Sequence, residues 1–171
     1  DLKMISRWGV GLDSIDVEAA TENDIIVTYT PGMVTESVAD MTFALILTLA
    51  RDIIDAAERG RRGEWVQKKA AEVFGTTLGI IGFGSIGQAV AYRARGFDMS
   101  VLACDPYPDP EAAKRLGVEW AELDELLTRS DYVSLHCSLS DANYHMISAP
   151  QLEAMKPGAY LINTARGGLV D

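Results

Sequence analysis

The chain is poor in the residues that build metal centres and disulfide scaffolds. It has two cysteines and two histidines among 171 residues. Cys104 and Cys137 stand far apart, each in an apolar run, and there is no C-x-x-C. Neither a disulfide framework nor a metal site is written here. Such cysteine usage fits a reducing, cytoplasmic setting, and Cys104 reads as a small buried core residue. Basic charge is also short: 15 Lys and Arg face 25 Asp and Glu, a formal net charge of −10. That balance argues against a general nucleic-acid surface or an anionic membrane surface. It leaves room for an anionic cofactor, which a few local N–H groups can hold. Long hydrophobic runs are missing as well. The longest, Met41 to Ala50, is bracketed by Asp40 and Arg51 and is about half of a bilayer span. No secretory leader is visible. The chain opens at Asp1 and enters a strand almost at once, which reads as a piece cut from something longer.

What is present is an ordinary globular balance, 48% apolar and 23% charged, with one pointed motif. Gly82-Phe83-Gly84-Ser85-Ile86-Gly87 follows the apolar run Leu78-Gly79-Ile80-Ile81 and opens a helix-compatible segment. Asp105 ends the next apolar run, about 20 residues further on, as a dinucleotide fingerprint requires. Each part has its own task. Gly82 permits a tight turn, Gly84 lets backbone approach a pyrophosphate, and Gly87 lets helix and strand pack closely. The pyrophosphate sits on unpaired N–H groups at the positive helix end. Asp105 can accept bonds from the adenosine ribose hydroxyls. Pro106, Tyr107 and Pro108 follow it, with no Arg to take a 2′-phosphate, so NAD is favoured over NADP. The competing reading is a glycine-rich turn without a ligand.

The surrounding pattern predicts an α/β fold, a Rossmann-type doubly wound parallel sheet with helices on both faces. Strands are expected at Lys3–Trp8, Ile25–Thr28, Leu78–Ile81, Ser100–Cys104, Tyr132–Leu135 and Tyr160–Ile162, with a weak one at Val118–Trp120. Helices are expected at Ile86–Arg95, Glu111–Leu116, Glu122–Thr128 and Ala149–Met155. A short helix ends at Glu22, capped by Ser14 or Asp16. Thr35 serves as N-cap of a long helix, apolar on more than one face, that would be buried between domains or subunits. Its polar continuation, Arg51 to Arg62, ends at Gly60 and Gly63. Ligands of such sheets bind beyond the carboxyl ends of the strands, which singles out Gly82–Gly87, Asp105–Pro106, His136–Ser138 and Asn163–Arg166. An Arg among small residues there, Arg166, suits a bidentate clamp on a carboxylate; pairing with a local acid is the alternative.

These residues carry a family resemblance. The stretches are Arg7 to Asp16, Ser37-Val38-Ala39-Asp40, Leu78 to Gly87, Ser130-Asp131 through Cys137, and Met155-Lys156-Pro157-Gly158 through Asp171. Together they resemble the D-isomer-specific 2-hydroxyacid dehydrogenases over essentially the whole chain. Leu135 to Leu139, with Asn143 and His145, lean toward the C-terminal-binding-protein branch, whose corepressors sense NAD(H).

The resemblance implies an NAD-dependent oxidoreductase acting on a small 2-hydroxy or 2-keto acid. It implies that Arg166 is the catalytic Arg, binding the substrate carboxylate and polarising the carbonyl. Val10 and Gly11 match the loop whose N–H groups meet that carboxylate, with Arg7 beside them. Gly82, Gly84, Ser85, Ile86 and Gly87 match the pyrophosphate turn, and Asp105 the ribose contact. Cys137, Asn143, Thr164 and Ala165, with Val10 and Arg166, match positions lining the cofactor. Residues 1–30 resemble the end of a substrate domain, and 31–171 an NAD-binding domain that forms a homodimer, with Arg61 to Trp65 in the dimer region. Two departures stand out. Ser138 replaces the Pro of many members, which implies a less rigid adenine-side loop. The family's Glu–His acid/base pair matches nothing here and would lie past Asp171. His136 reads as a residue that shapes the pocket, and His145 as structural or surface. Rival readings are a corepressor-type NAD(H) sensor and another Rossmann enzyme, such as a hydrolase of an adenosine thioether. The Arg7–Asp16 and Asn163–Asp171 blocks disfavour the latter.

Overall fold

Short apolar runs separated by capped helical stretches leave few choices but parallel pairing, because each crossover returns the chain to the same sheet edge. The computed structural model describes all residues, Asp1–Asp171, in two compact units, Asp1–Ser37 and Val38–Asp171. In the smaller unit, β1 (Met4–Ser6) and β2 (Ile26–Thr28) pair in parallel across α1 (Val17–Glu22). Asp16 caps α1 by accepting the Ala19 N–H at 2.8 Å, which satisfies one of the helix's orphan donors.

The larger unit begins within α2 (Thr35–Arg51), a few residues beyond the Pro31 break. Thr35 is the first helical residue rather than the cap. The long helix expected to run on to Arg62 is interrupted at Asp52, whose φ of 51° is left-handed. α3 (Ile53–Arg61) follows as a separate helix that contains Gly60. Asp adopts that conformation more readily than most residues, and its carboxylate accepts from Lys68, 16 residues on, at 2.9 Å.

From there the alternation is regular: β3 (Thr77–Ile81), α4 (Ser85–Ala94), β4 (Ser100–Cys104), α5 (Pro110–Leu116), β5 (Val118–Trp120), α6 (Leu123–Arg129), β6 (Tyr132–Leu135), α7 (Ala149–Ala154) and β7 (Tyr160–Asn163). The five strands are parallel in the order β5-β4-β3-β6-β7. After β5 the chain returns to the other side of β3. The strand order therefore reverses between β3 and β6, the position where such sheets open a crevice.

Period-two alternation sorts the strand residues onto two faces. Leu78, Ile80, Val101, Ala103, Tyr132 and Ile162 join Ala39, Phe43, Ile46, Val90 and Ala94 in one buried cluster. Ile81, Leu102, Val133 and Leu135 join Leu126, Leu127, Ile147 and Leu169 in the other. Helices therefore cover both faces. α2 is only half buried: Ala39, Thr42, Phe43, Ile46 and Ala50 face the core, while Met41, Leu45 and Leu49 are exposed.

Gly79 sits where α6 crosses the sheet. A Cβ there would collide with Leu126 Cδ2 and Ser130 Oγ. Gly79→Ala is expected to lower stability by about 1–3 kcal/mol through overpacking, measured as the shift of the urea midpoint at constant slope. An unshifted midpoint would mean that α6 tolerates displacement.

Candidate functional site

The site is built where strands end. At Gly82 the backbone turns with φ 94°, and a Cβ would lie 2.5 Å from the Cys137 nitrogen and 2.7 Å from the His136 carbonyl carbon. Gly87 presses on the same turn from α4, where a Cβ would overlap the Gly82 oxygen. Gly84, between them, meets nothing within 4 Å on the side where a Cβ would point. It is the N-cap of α4 and supplies no side-chain cap, so the first N–H groups of that helix remain for an outside acceptor. Two tight glycines and one open glycine make a cradle that a pyrophosphate fits.

Asp105 closes the turn from the end of β4. Its Oδ2 accepts the Phe83 N–H at 2.7 Å and its Oδ1 the Tyr107 N–H at 2.8 Å. A carboxylate has about four acceptor positions, so each oxygen keeps a lone pair for a hydroxyl. A cleft of about 410 Å³ opens beside it, lined among others by Pro108, Trp120 and Glu122. The sequence marks Trp120 and Glu122 only as element ends and not as site residues, because they belong to β5 and the cap of α6 and only strand pairing brings them here.

The loop after β6 forms another wall. The His136 N–H donates to Ile81 O at 2.7 Å, and its ring Nε2 lies 2.8 Å from Ser134 Oγ. Burial pushes the His136 pKa down to about 4, so the imidazole is neutral at ordinary pH. Burial raises the Cys137 thiol. Cys104 is partly rather than fully buried, because it stands at the strand's open end; burial raises its thiol too. Asn143 closes the loop at Ser138. Its Nδ2 donates to Ser138 O at 2.7 Å, and its Oδ1 accepts the Ser140 N–H at 2.7 Å. His145 stacks on Tyr144 and has Nδ1 3.3 Å from Asp171 Oδ1.

After β7 the segment Asn163 to Leu169 is fastened by Asn163, a residue that sequence reasoning placed in the candidate stretch without a role. Asn163 Oδ1 accepts the Ala165 N–H at 3.0 Å, and Nδ2 donates to Arg166 O at 2.8 Å. This Asx turn fixes the backbone that carries Arg166. Arg166 Nη1 donates to Ala165 O at 2.9 Å, and buried Leu169 anchors the far end. Thr164 Oγ1 lies 3.2 Å from Oγ1 of Thr42, on α2.

Gly82–Gly87, Asp105, Cys137, Asn143 and Thr164–Arg166 thus lie at or just beyond the carboxyl ends of β3, β4, β6 and β7. Arg7, Val10 and Gly11 belong to the smaller unit. There the Arg7 Nε–H donates to Gly11 O at 3.1 Å, and the Gly9 N–H to Thr30 Oγ1 at 3.0 Å. Among His, Cys, Asp and Glu no group could hold a metal ion, and no helix is long and apolar enough to cross a membrane.

A parallel sheet with a glycine turn at its switch point and an acid ending the next strand defines a dinucleotide-binding domain. Residues 43–171 match the D-isomer specific 2-hydroxyacid dehydrogenase, NAD binding domain, and the chain belongs to that family. Glyoxylate reductase from Thermococcus litoralis is 45% identical over 179 residues, which cover 99% of this chain and 54% of that protein. D-3-phosphoglycerate dehydrogenase from Methanocaldococcus jannaschii is 46% identical over 173 residues, covering 99% and 33%. Among solved structures, apo D-lactate dehydrogenase from Escherichia coli superposes with a TM-score of 0.91 at 37% identity, covering 99% of this chain and 54% of that one. D-lactate dehydrogenase from Aquifex aeolicus, complexed with NAD and lactic acid, gives 0.89 at 40% identity, covering 99% and 52%. The chain spans about half the length of most of these relatives.

His136 yields a pH test. Its folded pKa of about 4 lies below the ordinary 6.5, so between those values the unfolded chain binds a proton that the folded one refuses. Stability is complete above pH 6.5 and falls as pH drops through the window, by about 3 kcal/mol in total. His136→Asn should flatten this part of a melting-temperature series taken from neutral to acid pH. An unchanged slope would show that His136 is not the group being held neutral.

Proposed function

We propose that this chain is the cofactor-binding part of an NAD-dependent D-2-hydroxyacid dehydrogenase, a phosphoglycerate dehydrogenase-like oxidoreductase. The reaction transfers a hydride between nicotinamide and a D-2-hydroxy acid or 2-keto acid. One observation carries the reading: a cradle for a dinucleotide and an arginine on a braced turn stand at the same edge of one sheet. The names of the relatives, all reductases or dehydrogenases, support turnover over sensing alone.

The residues divide the work. Gly82, Gly84, Ser85, Ile86 and Gly87 hold the pyrophosphate with backbone N–H groups, and Asp105 accepts from the adenosine ribose. Cys137, Asn143, Thr164 and Ala165 line the cofactor. The bound nicotinamide supplies or accepts the hydride. Arg166 takes the substrate carboxylate in its planar fork and stabilises charge growing on the carbonyl oxygen. In the smaller unit, Arg7, Val10 and Gly11 match positions that the resemblance assigns to carboxylate binding. Residues 1–30 serve as the end of a substrate domain and 31–171 as the cofactor domain. The acid/base Glu and His implied by the resemblance have no counterpart in these 171 residues. Partly buried free thiols at Cys104 and Cys137 suit a reducing, cytoplasmic compartment.

The second copy in a homodimer would cover the exposed apolar side of α2 and α3. Met41, Leu45, Leu49, Ile53 and Ile54 are exposed there, and Trp65 is 95% exposed. Such a run of large side chains is unusual on a surface that stays in water. Light scattering at micromolar concentration should give a dimer mass, and Leu45→Arg a monomer. A wild-type monomer would remove the dimer from the proposal.

Fluorescence titration of the 171-residue chain should show binding of NADH with preference over NADPH, and negligible reduction of 2-keto acids. Asp105→Ala should weaken NADH by about 1–3 kcal/mol, the scale of bonds to a charged group. An NADPH preference or unaltered affinity would take the ribose role from Asp105. In the enzyme that includes the acid/base pair, Arg166→Lys should cut kcat/KM steeply, since a point charge cannot replace the fork.

A further inference from the structure

Thr42 is a polar residue in the buried face of α2, with no exposed surface. Its Oγ1 makes two contacts, one at 2.9 Å to Val38 O and one at 3.2 Å to Thr164 Oγ1. A hydroxyl has one hydrogen and two lone pairs. Val38 O can only accept, so the Thr42 hydrogen is spent on that carbonyl, the back-bonding that threonines make inside helices. Thr42 Oγ1 must then accept in the second contact, and Thr164 must donate. The hydrogen of Thr164 is thereby turned toward α2, and its two lone pairs are left for whatever lies on the other side.

Thr164 follows β7, two residues before Arg166. Asp105 follows β4, across β3 and β6 from β7. A cofactor whose adenosine ribose meets Asp105 brings its nicotinamide end toward β7. We infer that Thr42 is a positioning residue that fixes Thr164 as a hydrogen-bond acceptor, so that the cofactor group held at Thr164 is an N–H or O–H donor of the nicotinamide half. The carboxamide amine and the nicotinamide ribose hydroxyls share that chemistry. The inference rests on the proposal that Thr164 lines an NAD site.

The test is NADH binding by this chain, followed by fluorescence. Thr42→Val keeps the shape and removes the oxygen, freeing the Thr164 hydrogen to turn outward against the donor. It should weaken NADH about three- to tenfold, the scale of one hydrogen bond. Thr42→Ser restores the oxygen and should bind within about twofold of wild type, the readout that separates proton orientation from packing. Thr42→Val should add nothing on top of Thr164→Val, because without the Thr164 oxygen no acceptor is left for Thr42 to orient. An analogue bearing a methyl ketone in place of the carboxamide separates the sources. Loss of the Thr42→Val effect with the analogue assigns the donor to the carboxamide, and persistence assigns it to the ribose. Wild-type affinity in Thr42→Val, failure of Thr42→Ser to rescue, or additivity with Thr164→Val overturns the inference while leaving NAD binding intact. If wild type binds no NADH, the functional proposal and this inference fail together.

Discussion

At the end of β3 three backbones meet with no space for a side chain between them. The turn at Gly82 lies against the His136–Cys137 peptide on one side and against Gly87 of α4 on the other. Everything proposed for the site hangs on this contact. It seats α4 with its N-terminal N–H groups facing outward, and it draws the loop after β6 close enough to wall the crevice. The open side at Gly84 is its complement, since the same backbone that excludes a Cβ in two places leaves room at the third. The helix macrodipole, worth about half a charge at that end, then acts on whatever anion is held there. This is how a chain with a net charge of −10 can still offer an anion site.

The rest of the site is held by side chains whose own bonds are local. Asp105 binds two backbone N–H groups, Asn143 closes the loop after β6, and Asn163 staples the turn beneath Arg166. Each is a short polar side chain bonding within its own loop or to the loop beside it, which is cheap in conformational entropy. A loop braced in this way can present an arginine without depending on a ligand to order it. The His136 ring is also held locally: it bonds to Ser134, and burial keeps it neutral at ordinary pH.

Much of the architecture was legible in the sequence because its causes are local. Alternating apolar runs place every strand of the large sheet, and Asp16, one of two residues the sequence offers as a cap, is the cap of α1. The differences arose where local signals are weak. Asp52 breaks a helix that its composition would continue, because a left-handed aspartate is a conformational choice and not a composition. α2 reads as apolar on most sides, yet only one face is covered by the core. Asn163 and Asn143 were visible as residues, but the partners that make them braces are set by loop geometry.

The fold class, the glycine turn with its acid, and the candidate arginine are readable from the amino-acid order alone, since each depends on spacing along a few tens of residues. Which strand lies beside which, that Trp120 and Glu122 flank Asp105, and that Thr42 meets Thr164 across 122 residues of chain emerge only in the folded molecule. The physical reason is that hydrogen-bond direction and side-chain contact depend on distances of a few ångströms. Residues distant in sequence reach those distances only when the whole sheet has formed.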